Sequence, residues 1–130
     1  MKTGPAVALI ALLGAGCDNP TATFACPGIL VPAIVVEVRD SRTGLAIAQN
    51  AKGVVQEGVY VDSLRAYFGA LPDPATLLSL QAAWGRAGTY SVNVQRPNYL
   101  PWTASGIKVT SGLCGITSVT LHADLVAIVP

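Results

Sequence analysis

The sequence predicts an all-β fold, an antiparallel β-sandwich of about seven strands behind an apolar N-terminal leader. Three observations lead there. Short runs alternate apolar with polar residues, turn-forming residues separate them at close spacing, and no stretch holds a helical period. With 130 residues, the chain has room for one domain of ordinary size.

The first run is Ala33 to Arg39. Ile34, Val36 and Val38 share one face, and Glu37 and Arg39 the other. It stops at "DSRTG", where Asp40 is expected to accept hydrogen bonds from the backbone just beyond it. Gly44 is expected to take the positive φ that closes the turn. The softer "LAIAQNA" then reads as a crossing segment packed on the sheet edge. Gly53 to Glu57 and Val59 to Leu64 flank Gly58 as a hairpin. "AYFGALPDPATL", with two prolines, reads as a loop with room for a short helical turn. Leu77 to Trp84 is an apolar run. Thr89 to Arg96 alternates plainly, with Tyr90, Val92 and Val94 inward and Gly88 reading as a turn residue before it. Trp102 to Thr110 holds Ile107 and Val109 in register. In Ile116 to Val126, Val119, Leu121, Ala123 and Leu125 face one way, and Ser118, Thr120, His122 and Asp124 the other.

Composition narrows the function. The chain is 52% hydrophobic and 12% charged, about half the usual charged share. Formal net charge is +1 and no basic run exists, so the clustered cations that a nucleic-acid groove needs are missing. No nucleic-acid partner is expected. The low charge has two readings: outer sheet faces carrying uncharged polar residues, or surface covered by another protein or lipid.

The leader has three parts. Lys2 precedes an apolar core from Ala6 to Leu13, and the small residues Gly14, Ala15 and Gly16 lead into Cys17. The core is too short to span a bilayer, which takes about 20 residues. Ending on cysteine, the segment resembles a bacterial lipoprotein signal, with Gly14 where Leu is commoner. That resemblance implies a signal peptide over residues 1–16, an acylated Cys17 as first mature residue, and a tether over 17–28 to a domain at 29–130. It also implies a bacterial cell envelope location, anchored in the membrane and facing the periplasm or cell surface. Plain secretion, with cleavage near the same small residues, is the alternative. Asp18 resembles the inner-membrane retention signal of some Gram-negative bacteria.

There are three cysteines: Cys17, Cys26 and Cys114. An odd count in an exported chain needs explaining, and acylation of Cys17 leaves an even pair. Cys26 and Cys114 then form either a disulfide, permissible after export, or two buried thiols. No C-x-x-C occurs and His122 is the one histidine, so no metal spacing is present and no cofactor is expected.

Taken in order, the strand with "DSRTG", then "AGTYSVNVQRPNYLPW", "GIKVT" and "TSVTLHADL" resemble carboxypeptidase regulatory-like domains. Gly88, Tyr90, Val92 and Val94 carry the characteristic part. The family has Gly-Tyr after the turn where this chain has Asn98-Tyr99, and Asn also tolerates the left-handed conformation. The resemblance spans about Ala33 to Leu125. It implies a transthyretin-like (Ig-like) sandwich in an accessory role, with no activity of its own. In that architecture the first strand lies beside the last, and parallel pairing would bring Cys26 and Cys114 to one end of the sheet.

Catalysis is not expected. Relatives of that fold that are hydrolases or iron dioxygenases use more histidines than the one present here. A triad built on His122 and Asp124 would sit on an outward face without a G-x-S-x-G elbow. Glu57 and Asp62 flank a hairpin, and Asp73 sits between prolines, where turns commonly place Asp. For the aromatics two readings stand. Trp84 and Trp102 fill the core with tyrosines capping it, or loop aromatics bind a partner, the candidates being Tyr67, Phe68, Tyr99 and Trp102. The expectation is a non-catalytic extracytoplasmic lipoprotein whose sandwich is a binding module for an envelope glycan, peptide or protein. The alternative is an extrinsic accessory subunit of a membrane-embedded complex on its periplasmic face.

Overall fold

A computed structural model describes residues 25–66 and 77–129. The leader with Cys17, and most of the two-proline loop with Tyr67, Phe68 and Asp73, lie outside the described residues. Those described are all-β and without helix. Seven strands of four residues or more form two sheets: β1 (Pro32–Asp40), β2 (Lys52–Glu57), β3 (Tyr60–Ser63), β4 (Ser79–Trp84), β5 (Gly88–Gln95), β6 (Trp102–Val109) and β9 (Val119–Leu125). A two-residue hairpin, β7 (Ser111–Gly112) with β8 (Gly115–Ile116), was not foreseen. One sheet has the order β4-β1-β9 and the other β3-β2-β5-β6. Every pairing is antiparallel except β1 with β9, which run parallel with Ile34 opposite Val119 and Asp40 opposite Leu125.

Alternation explains the core. Ile34, Val36 and Val38 of β1 are fully buried and face Tyr90, Val92 and Val94 of β5 across the sandwich, with Val55, Leu80 and Leu125 filling in. Each such side chain contributes about 1.5–3 kcal/mol by leaving water. An exposed pair such as Arg39 with Glu37, 3.5 Å apart, contributes at most about 1 kcal/mol. Burial therefore sets the register. The sandwich is also closed at two corners, by a bridge between Arg65 and Gln81 and by one between Tyr99 and Ala127. These tie the edges of the two sheets together and leave less open edge for a foreign strand.

The first turn forms as its sequence predicts. Asp40 Oδ1 accepts hydrogen bonds from the backbone N–H of Arg42 (2.8 Å) and Thr43 (3.0 Å), and Gly44 has φ 74°. Leu45 to Ala48 then run back along β1, where the Ile47 N–H bonds to the Val38 carbonyl and Ala48 is buried. Gly88 differs from expectation. It opens β5 at φ 154°, and a Cβ there would overlap the Glu57 carboxylate, which accepts the Thr89 N–H at 2.9 Å. Its smallness makes room for a carboxylate cap.

Trp84 is the other difference. Alternation from Leu80 and Ala82 would turn it inward, yet it is 39% exposed. Ala83 takes φ 59°, with its N–H held by Asp62 Oδ2 at 2.9 Å. That kink puts both Ala82 and Ala83 in the core and sends Trp84 out. Trp102, by contrast, packs half-buried against the core.

Candidate functional site

Strand register gives the sandwich two poles. The starts of β1, β5 and β9 share one pole with the ends of β2, β4 and β6. Cys26 and Cys114 are joined there as a disulfide, with Cα atoms 5.1 Å apart. The opposite pole carries the Asp40 turn and the Pro97–Asn98 turn, where Asn98 takes φ 71°.

The Asp40 pole holds Tyr99, a sequence-predicted aromatic candidate that makes a specific polar contact. Tyr99 donates its hydroxyl proton to Asp40 Oδ2 at 2.6 Å. Together with the Thr43 and Arg42 N–H groups, that bond lowers the Asp40 pKa to about 2 from the ordinary 3.8. The same contact raises the Tyr99 pKa. The Arg96 guanidinium lies 5.3 Å from the Tyr99 ring centroid, while its Nε donates to the carbonyls of Ile47 (2.9 Å) and Gln49 (3.0 Å). Both the hydroxyl and one face of Tyr99 are thus engaged within the chain. An open groove of about 470 Å³ runs beside it, lined by Asn50, Lys52, Gln95, Arg96 and Pro101.

Around this turn stand side chains that alternation did not single out. Leu45 (64% exposed), Leu100, Val126, Ile128 (55%) and Val129 all face solvent. Hydrogen bonds bring their segments together: Leu100 N–H to Val126 O, Ile128 N–H to Asn98 O, and Asp40 N–H to Leu45 O. The signal for them was in the sequence, since after Leu125 the alternation gives way to unbroken apolar residues.

His122 lies on the outer face, two-thirds exposed, with Nδ1 3.2 Å from a Glu37 carboxylate oxygen. The carboxylate that it meets is on β1, directly across the parallel ladder, and not Asp124 on its own strand. Glu57 and Asp62 both act on backbone. Glu57 takes the Thr89 N–H and the Arg86 guanidinium (3.3 Å), and Asp62 takes the Ser63 and Ala83 N–H groups. Among the described residues, no three His, Cys, Asp or Glu side chains gather as a metal set. The four aromatic candidates are not brought together, since Tyr67 and Phe68 lie outside the described residues and Trp102 packs on the core. No protein-family model matches the chain, and no curated protein matches it.

Proposed function

We propose that the protein is a non-catalytic lipoprotein of the bacterial envelope, held to the membrane by an acylated Cys17, whose sandwich presents its Asp40 pole to a protein partner. The observation that carries this reading is the gathering of Leu45, Leu100, Val126, Ile128 and Val129 in the open around one turn. Scattered apolar residues need no explanation, but a cluster rimmed by Arg42, Lys52 and Arg96 has the make-up of an interaction surface. A glycan is the weaker ligand. The Tyr99 ring that a sugar would stack on is already covered on one face by Arg96 and tied through its hydroxyl to Asp40. The parallel pairing of first and last strands agrees with a transthyretin-like, carboxypeptidase regulatory-like arrangement, which belongs to this proposal.

A second reading, a permanent accessory subunit of a membrane-embedded complex, is favoured by the short tether. Nine positions separate Cys17 from Cys26, a reach of about 30 Å at full extension. The test is mild-detergent purification from native membranes of the wild type, Cys17→Ser and Ile128→Asp. Under the first reading Cys17→Ser leaves the membrane fraction, and a partner captured by cross-linking is lost with Ile128→Asp. A stoichiometric partner that survives detergent selects the second. A partner set unchanged by Ile128→Asp sinks the Asp40 pole as the docking surface.

A further inference from the structure

The disulfide pole also exposes apolar side chains, and they come from three separate segments. Ile29 (70% exposed) and Leu30 stand in the stretch leading into β1, Val59 (101%) at the tip of the β2–β3 hairpin, and Leu113 (79%) at the tip of β7–β8. The register puts these tips at one pole, and Leu30 lies against Gly85, next to the half-exposed Trp84. Apolar tips at loop ends bury little of one another, so their packing does not account for them. The charged side chains in the segments forming this pole are Glu57, Arg86 and Lys108. Glu57 is paired with Arg86, which also lies 3.9 Å from the Tyr60 ring centroid, and Asp62 nearby is turned onto the Ala83 N–H. What faces outward is apolar, and at the rim Arg86 and Lys108 balance Glu57 and Asp62.

We infer that this pole is inserted shallowly into the headgroup region of the bilayer, with Ile29, Leu30, Val59 and Leu113 among the lipids and Lys108 against anionic headgroups. The inference rests on the reading of Cys17 as the lipid anchor. The tether ends at this pole and not at the other. Its nine positions reach at most about 30 Å, so an anchored domain keeps this pole within that distance of the lipid surface. The ring of charges at the Asp40 pole, Asp40, Arg42, Lys52, Arg65 and Arg96, suits water or a protein better than lipid.

The two tryptophans test this, because Trp84 sits at the disulfide pole and Trp102 starts β6 at the other. The full chain, reconstituted into phosphatidylethanolamine–phosphatidylglycerol vesicles brominated near the headgroups, is compared as Trp102→Phe and Trp84→Phe. Trp84 emission is expected to fall about twofold or more while Trp102 stays unquenched, since inserted groups reach only the headgroup and upper acyl region. Val59→Asp and Leu113→Asp change side chains outside the packed core and are expected to restore Trp84 emission. Equal quenching of both tryptophans, or none at Trp84, overturns the inference, as does Trp84 shielded by a second copy of the chain. The mass of the Cys17 peptide separates the two readings. Acylation with Trp84 unquenched removes the insertion and leaves the anchor, whereas quenching without acylation keeps the insertion and removes the anchor.

Discussion

The two poles of the sandwich solve one problem by different means. Each must hold the ends of β1 and β9 against loops from the other sheet. At the disulfide pole the described residues before β1 belong to no strand and the small β7–β8 hairpin stands between β6 and β9, and a covalent bond joins the two across a sequence separation of 88. At the Asp40 pole the chain turns tightly, and a clasp of polar groups suffices: Tyr99 on Asp40, and Arg96 on the Ile47 and Gln49 carbonyls. Closing a long loop removes more disorder from the unfolded chain than closing a short one. The covalent pole therefore governs global stability, and the polar pole governs local geometry.

The sharpest way to break this contrast is to cut the bond. Cys26→Ser is expected to lower unfolding free energy by about 4.6 kcal/mol relative to the oxidised wild type, read from urea denaturation, as loop-closure entropy gives for a loop of this length. A loss well under half of that would mean that β1–β9 pairing already constrains the unfolded chain.

Next comes the clasp. Tyr99→Phe should lower the urea midpoint by less than Cys26→Ser and move the Asp40 pKa up from about 2 toward 3.8, observable by carboxyl NMR titration. The sign follows from proton binding. Because the folded pKa is depressed, the unfolded chain binds more protons between those two values. The contribution of Asp40 is complete above 3.8 and is lost as pH falls through about 2. The variant should flatten the slope of stability in that window. An unchanged slope would shift the effect to the Thr43 and Arg42 N–H groups.

The smallest effect belongs to neither pole. His122→Ala removes a two-thirds-exposed side chain from the middle of the outer face, and stability should change by no more than about 0.5 kcal/mol. A larger change would make the His122–Glu37 pair part of the parallel ladder's stability.

Much of this was legible in the residues. Period-two alternation located β1, β5, β6 and β9 to within a few positions, because each has one face in the core and one in water, and the Gly58 hairpin located β2 and β3. The Asp40–Gly44 turn was readable because it is local chemistry, a carboxylate reaching N–H groups two and three positions on. Trp84 was not. Its direction depends on the φ of Ala83, which is held by Asp62 from 21 positions away, and a single-sequence pattern carries no such information. The Tyr99–Asp40 contact was invisible for the same reason, spanning 59 positions. The exposed apolar tips were visible as residues but not as a set, since only the register brings Leu30, Val59 and Leu113 to one pole.

The disulfide also decides how the domain responds to mechanical tension. A pull between the leader and the C-terminus reaches Cys26, crosses to Cys114, and continues through the short β8 and then β9. Residues 27–113 are short-circuited, so none of that stretch is drawn out along the path, and β1 feels the pull only through its pairing with β9. The longer element in the tension path is β9, which lies parallel to β1 and is drawn lengthwise along it, straining its seven register pairs together instead of one after another. With the bond reduced, the bypassed stretch joins the path and adds on the order of 300 Å of reach. The oxidation state of two cysteines, more than the strength of the pull, sets how far this domain can be drawn out.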